Sequence, residues 1–288
     1  MKRIVFFLIA VIVALGPAAA ARAATLDSRL SHARLMFIGA HPDDESLAGA
    51  VFAKACIELA RPCHFAVMTT GEGGNCSLDD CSPDLGTIRI AEMHRVADRY
   101  GASVSFAGFR NFPNTGSEDT AWLQTILNDW RTVTDPVHWI RQQIDRFHPT
   151  LVFTVDPHHG FYGHAEHILT GRLVFEALGL AWRTGTPVVP VTTVVSSPPE
   201  ALYVVKNRYW AFAPFVGRDP EPVNERWAVR QSCNGSPCID WAVNIAQEHA
   251  SQRKDGIGLF AFVGRFIRWM YLWRIDLDSL PPVGREVP

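Results

Sequence analysis

The sequence predicts an α/β fold: a mostly parallel, doubly wound sheet with helices on both faces and a polar site at the carboxyl ends of its strands. Three observations predict it. Short apolar runs without helical periodicity alternate about four times with amphipathic helical stretches, the pattern of repeated βα units. The apolar runs at 34–39 and 151–155 each lead into a cluster of His, Asp and Glu, and open α/β sheets present their chemistry at that edge. Hydrophobic residues make up 48% and charged residues 19% of the 288, which permits a large core and argues against disorder.

Taken in order, the chain opens on Lys2 and Arg3, an apolar stretch over 4–15, and Ala21-Arg22-Ala23. These are the basic region, apolar region and small-x-small site of a secretory signal. The expectation is a signal peptide over 1–23, a single domain over 24–288 and a secreted or periplasmic protein; an uncleaved anchor is the competing reading. Without 1–23 the 27 basic residues fall to 24 against 29 acidic ones, a balance that gives no basis for a nucleic-acid partner. The six cysteines lie in three close pairs, Cys56/Cys63, Cys76/Cys81 and Cys233/Cys238. Local disulfides suit an oxidising compartment, although proximity alone does not fix connectivity. A four-cysteine zinc site is disfavoured because no CxxC occurs.

Residues 34–39 read as the first strand, and 45–59 as a helix with Leu47, Val51, Ala55 and Leu59 near one face. The second strand, 64–70, ends in Thr70-Gly71-Glu72-Gly73-Gly74, which lacks the lysine and spacing of a phosphate loop. A helix over 87–100 turns Ile88, Ala91, Val96 and Ala97 to the core and places Arg89 and Glu92 as neighbours on another face. Gly101 stops it, 103–109 is the third strand, and 110–119 is a polar loop. A helix over 135–147 carries the stripe Trp139, Ile140, Ile144 and Phe147 before the buried strand 151–155. A helix follows from the second His cluster to about 178. Residues 187–205 read as added strands and 241–253 as a helix. The stretch 256–276 is apolar and aromatic with Arg265, Arg268 and Arg274 interspersed. Packing on the sheet is the expectation there; capping the site and touching a membrane are the alternatives. Neither repeats nor low-complexity linkers interrupt this Rossmann-like order.

The first cluster is His41-Pro42-Asp43-Asp44-Glu45 and the second is His164-Ala165-Glu166-His167. Alone, the first would pass for an acidic helix start. The second changes that. A catalytic zinc takes three protein ligands and keeps one open position. His41 and Asp44 stand close enough to share an ion, and His164 or His167 reaches the same sheet edge to complete a two-imidazole, one-carboxylate set. Asp43, beside a ligand, is placed to accept a water proton. The histidine that is not a ligand would stabilise an oxyanion or protonate a departing amine. Such a site suits amide hydrolysis.

An apolar strand leading to HPDDE, with a later Gly-His-x-x-His, resembles the PIG-L/LmbE-like zinc-dependent N-deacetylases, from Arg34 to about Gly171 and more faintly over 246–252. The resemblance implies one Zn2+ per chain, with other divalent metals as substitutes, and an acetylated amino-sugar substrate such as an N-acetylglucosamine conjugate. It makes His41, Asp44 and His167 the ligands, Asp43 the base, and His164 the acid or oxyanion partner. It also implies that Glu72 faces the sugar, that Arg89 contacts substrate, and that Tyr162 is an active-site tyrosine. The chain departs from the family at Arg110-Asn111-Phe112-Pro113, where many members have an acidic residue, and at Ala165-Glu166, where Pro-Asp is common. Oligomeric state and membrane association are left open.

Each assignment has a plainer rival. His158 or His159 would supply a ligand in place of His167. Glu72 would cap a turn, Arg89 and Glu92 would be a surface pair, and Tyr162 a core aromatic. At the level of the whole protein the rivals are an amidase acting on a larger sugar–thiol or acyl conjugate, and a secreted carbohydrate-binding module with a vestigial site.

Overall fold

The computed structural model describes residues 25–82, 84–114, 119–161, 163–181, 195–206, 223–254, 256–277 and 285–286. The signal segment over 1–23 and Tyr162 lie outside the described residues.

The chain runs α1 (Leu26–Leu30), β1 (Leu35–Gly39), then a 3-10 turn (Asp44–Ala48) that leads into α2 (Gly49–Phe52) and a π segment (Ala53–Glu58). There follow β2 (Cys63–Thr69), α3 (Leu85–Tyr100), β3 (Ser103–Phe109), α4 (Thr120–Val133), α5 (Pro136–Phe147), β4 (Leu151–Val155) and α6 (Ala165–Ala177). The remainder is β5 (Leu180–Ala181), β6 (Ala201–Val205), β7 (Glu225–Ala228), β8 (Ser232–Cys233), β9 (Ser236–Pro237), α7 (Cys238–Ala246), α8 (Gly256–Val263), β10 (Trp269–Asp276) and β11 (Arg285–Glu286).

Seven strands form the main sheet in the order β3-β2-β1-β4-β6-β10-β7. The pairings from β3 to β6 are parallel, and β10 runs antiparallel to β6 and β7. Alternate residues of each central strand enter opposite cores, because successive strand side chains point to opposite faces. Leu35, Phe37, Phe65, Phe153 and Tyr203 pack on one face, while Met36, Ile38, Met68, Val152 and Leu202 pack on the other. A sheet covered on both sides makes β1, β4 and β6 unbroken apolar runs, which is why periodicity alone located β1 and β4. The connections leave β1 in opposite directions, so the gap between β1 and β4 is the switch point where such sheets hold ligands.

Three local predictions change. The helix expected from 45 begins instead as a 3-10 turn, because the Asp44 carboxylate folds back to accept from the N–H groups of Ala40 (2.6 Å) and His41 (3.0 Å). Residues 120–133, given no element above, form α4; Asp119 caps it and Leu123, Ile126 and Trp130 are its buried stripe. The stretch 256–276 divides into α8 and β10, and only part of it packs inward. Of the added strands expected over 187–205, β6 is observed; 187–194 lies outside the described residues. The cysteines pair as Cys56–Cys63, Cys76–Cys81 and Cys233–Cys238.

Candidate metal and catalytic site

The loop after β1 and the loop after β4 meet at the switch point. Gly39 ends β1 with no room to spare: a Cβ there would stand 2.8 Å from the Asp44 Cβ. That close approach lets Asp44 turn back under the strand end. Asp43, one residue earlier, has φ 114°, a region that non-glycine residues seldom occupy. Its N–H is held by Glu45 Oε2 (3.0 Å), and Glu45 Oε1 is held in turn by His249 Nε2 (2.9 Å). Strained backbone persists where its surroundings over-determine it, and this buried pair does so here.

From the other loop, His164 stands at the position just before α6, with no side-chain capping bond, and His167 lies in its first turn. His41 Nδ1 is 3.0 Å from His167 Nε2, and Asp44 Oδ1 is 2.9 Å from the same nitrogen. Zinc bound tetrahedrally at about 2.0–2.1 Å would separate its ligand atoms by roughly 3.4 Å; the two contacts at His167 are shorter than that, and His41 Nδ1 lies 3.9 Å from Asp44 Oδ2. The group whose ligand atoms all lie within 4.8 Å of one another is His41, His164 and His167, which makes His164 a candidate ligand as well. Its ring stacks on His167 at 4.5 Å, and its buried Nδ1 has no hydrogen-bond partner among the described residues. Ligation through His167 Nε2 would move that ring's proton to Nδ1, which now accepts from the Phe161 N–H (3.2 Å), so the amide would have to turn away.

Outer partners fix the inner ones. Glu166 is buried, and its Oε2 accepts from His41 Nε2 (2.5 Å) and Asn111 Nδ2 (2.5 Å), while its Oε1 accepts from the Phe112 N–H (2.7 Å). A bound cation would displace the second proton of His41, and the proton kept on Nε2 by Glu166 would leave the Nδ1 lone pair facing inward, the usual arrangement of a carboxylate–histidine–metal set. The sequence marked Asn111 and Glu166 only as departures from the family, and the fold joins them to each other.

The charges follow from these contacts. Burial alone would lower the His41 imidazole, but the Glu166 carboxylate outweighs it and pushes it up to about 9. Burial would raise Asp44, yet His167 and His41 beside it hold it below the usual carboxylate range. Burial and then the Asp44 carboxylate push Asp43 up to about 7. Burial, with two imidazoles adjacent, keeps His164 far below the ordinary histidine value. A carboxyl near neutrality and a neutral imidazole beside a possible cation site can move a proton and stabilise a developing anion.

The site opens into a pocket of about 420 Å³ whose lining includes His41, Asp43, Asp44, His164, His167 and Arg89. Arg89 is buried and gives its guanidinium to the carbonyls of Gly71 (2.6 Å) and Asn75 (2.9 Å). Glu92 is buried too, accepting from the N–H and hydroxyl of Ser251. The placement of Arg89 and Glu92 away from the core is therefore corrected: α3 turns them inward, where a charged side chain needs partners that arrive from distant loops. Glu72 is not on the pocket lining; it accepts from the Thr70 hydroxyl and the Asn111 N–H (both 2.7 Å), bracing the glycine turn. His158 and His159 meet edge to face and also lie off the lining.

His249 and Gln252, which reach the site from the C-terminal third, were not identified as site residues. Gln252 Nε2 donates to the Pro42 carbonyl (2.7 Å), in the first cluster itself. Their signal in the sequence was the faint family likeness around 246–252.

Residues 36–178 match the GlcNAc-PI de-N-acetylase family, PIG-L. The 1D-myo-inositol 2-acetamido-2-deoxy-alpha-D-glucopyranoside deacetylase of Thermomonospora curvata is 31% identical over 163 residues, 51% of this chain and 53% of that protein. The protein of the same name from Streptomyces scabiei is 32% identical over 166 residues, covering 54% and 50%. The chain thus spans about half the length of the curated relatives it matches. Among solved structures, N,N'-diacetylchitobiose deacetylase from Pyrococcus horikoshii superposes with a TM-score of 0.58 at 14% identity, covering 88% of both chains. The A40926 pseudoaglycone deacetylase superposes with a TM-score of 0.54 at 16% identity, covering 85% of this chain and 98% of that one. At such identities the two structures speak for the fold.

Proposed function

We propose, from the PIG-L domain that residues 36–178 form, that this protein removes the acetyl group from an N-acetylated amino sugar of the N-acetylglucosamine type. The observation that carries the reading is the meeting of His41 Nδ1, Asp44 Oδ1 and His167 Nε2 beside Asp43 and His164 on one pocket lining. The curated deacetylases named above support the substrate class.

Two imidazoles and a carboxylate suit a divalent ion, zinc foremost. Held there, such an ion polarises an amide carbonyl and lowers the pKa of water. The chain's own groups do the rest. Asp43 takes the proton from the attacking water and passes it to the departing amine, work that fits a carboxyl raised toward neutrality. His164, kept neutral between burial and its neighbouring imidazoles, donates its ring N–H to the carbonyl oxygen as charge develops there. Of the two roles considered for His164, this favours oxyanion partner over acid. Glu166 holds the His41 ring in register, and Arg89 supports the glycine turn that forms one side of the pocket.

Export is part of the same proposal. The basic-then-apolar N-terminus and three paired cysteines support a secreted or periplasmic location, where disulfides persist.

Acetate release from a panel of N-acetylglucosamine conjugates, run with metal analysis of the purified protein, tests the reading. Zinc near one per chain, lost in His41→Ala, is the expected result. Asp43→Asn should keep the metal and lose nearly all turnover. A metal content that His41→Ala leaves unchanged would remove the proposed site, and turnover retained by Asp43→Asn would remove the base.

A further inference from the structure

Helix α8 and the turn after it carry a feature that catalysis does not use. One side faces the protein: Ile257 and Phe260 line the pocket, Ile267 is buried, and a Cβ on Gly264 would meet Val243 of α7 at 2.4 Å. The other side faces solvent and is also apolar. Phe262, Phe266 and Trp269 are 66%, 71% and 41% exposed, while Leu259, 47% exposed, sits at the pocket edge. With Leu259 they account for four of the six large exposed hydrophobics among the described residues, so the apolar exposure of those residues is concentrated at one place. Phe262 and Phe266 touch, with ring centroids 5.9 Å apart.

The charged residues named within this patch are basic. Arg265 and Arg268 are exposed within it, and the exposed Arg226 lies over the Trp269 ring at 5.2 Å. From 256 to 275 the chain contains no Asp or Glu. A surface helix of a soluble domain normally keeps its solvent side polar. Exposed aromatics interleaved with arginines are the composition of a segment that lies in a lipid interface, the rings among the acyl boundary and the cations at anionic headgroups. A second copy of the chain fits less well, because two-fold pairing through this patch would set Arg265 and Arg268 against themselves. Helix α8 has eight residues, far fewer than the roughly 20 that span a bilayer, so its contact is with a surface.

We propose that Phe262, Phe266 and Trp269, with Arg226, Arg265 and Arg268 around them, form a docking surface for an anionic lipid bilayer. The packing outcome expected for this stretch is then half of the answer: α8 packs by one side and docks by the other. Since α8 also lines the pocket, docking sets the pocket beside the headgroups, where it meets a substrate held in the bilayer. Only that last consequence rests on the deacetylase reading.

The test is sedimentation of the full chain with vesicles of phosphatidylcholine alone or mixed with phosphatidylglycerol. Each basic residue near an anionic surface contributes about fivefold to partitioning. The unchanged protein should sediment with the mixed vesicles, less so at high salt. Arg265→Glu with Arg268→Glu should weaken that partitioning about 25-fold or more, and Phe262→Ser with Phe266→Ser should weaken it to a similar degree. Both double variants should turn over a soluble acetylated amino sugar as before. Residues 1–23 are common to all these proteins, so the differences report the patch. Equal partitioning of all three proteins overturns the proposal. So does a fall in oligomer size in the Phe double variant without loss of vesicle binding, which would assign the patch to a second copy. Vesicle binding together with inactivity on every acetylated sugar would leave the docking surface standing and remove the deacetylase reading.

Discussion

Glu166→Gln isolates the contact that aims His41. The carboxylate is 1% exposed and accepts three hydrogen bonds, from His41 Nε2, Asn111 Nδ2 and the Phe112 N–H. Glutamine keeps the shape but has one acceptor oxygen, and its amide nitrogen must face at least one of those donors. His41 then loses the charge that fixes its Nε2 proton, and its Nδ1 lone pair is no longer held inward. Loss of an outer-shell partner costs about ten- to a hundredfold in metal affinity, or about 1.4–2.8 kcal/mol. The assay is competition for Zn2+ against a chromophoric chelator, followed by kcat/KM for acetate release at low and at saturating zinc. The variant should bind zinc more weakly and recover much of its turnover when zinc is in excess. Zinc affinity equal to that of the unchanged protein would refute the reasoning, because Glu166 would then not be orienting a ligand.

Three further predictions follow from other contacts. His249→Ala strands Glu45, which is 3% exposed; breaking such a buried pair costs about 3–5 kcal/mol. A lowered Tm should be accompanied by a fall in turnover, because Glu45 holds the backbone of Asp43; an unchanged Tm would argue against the pair. Gly39→Ala drives a Cβ to within 2.8 Å of the Asp44 Cβ and 3.0 Å of its Oδ2, so zinc affinity should fall even in chains that still fold, which chelator competition reads directly. His64, buried between the Ser103 and Ser105 hydroxyls and stacked on Phe147, is lowered by burial from 6.5 to about 4. Between those values the unfolded chain binds the extra proton, so stability rises with pH and is lost as pH falls through the window, by about 2 kcal/mol from pH 7 to 5. The Tm of His64→Gln should fall less over that range than the Tm of the unchanged protein; parallel curves would assign the acid sensitivity elsewhere.

What the sequence determined by itself was whatever leaves a short-range mark. Strands covered on both faces are continuous apolar runs, so β1 and β4 were legible, and each pointed to the polar cluster that follows it. Cysteines five to seven residues apart have few nearer partners, and they paired as their spacing suggested. The parallel order of β1 and β4 brought His41, Asp44 and His167 together, which the two clusters had foretold as a pair. What only the tertiary structure decided was the set of partners that buried polar groups find across the chain. Glu45 meets His249 at a separation of 204 residues and Asn111 meets Glu166 at 55; no periodicity encodes such pairs, because a buried donor asks only for an acceptor at the right place in space. That is also why the helical pattern of α3 placed Arg89 and Glu92 on a face away from the core, and why Glu72 is seen bracing a loop. The same reason governs α8: its composition was apolar throughout, and only its packing against α7 showed which side was left to face outward.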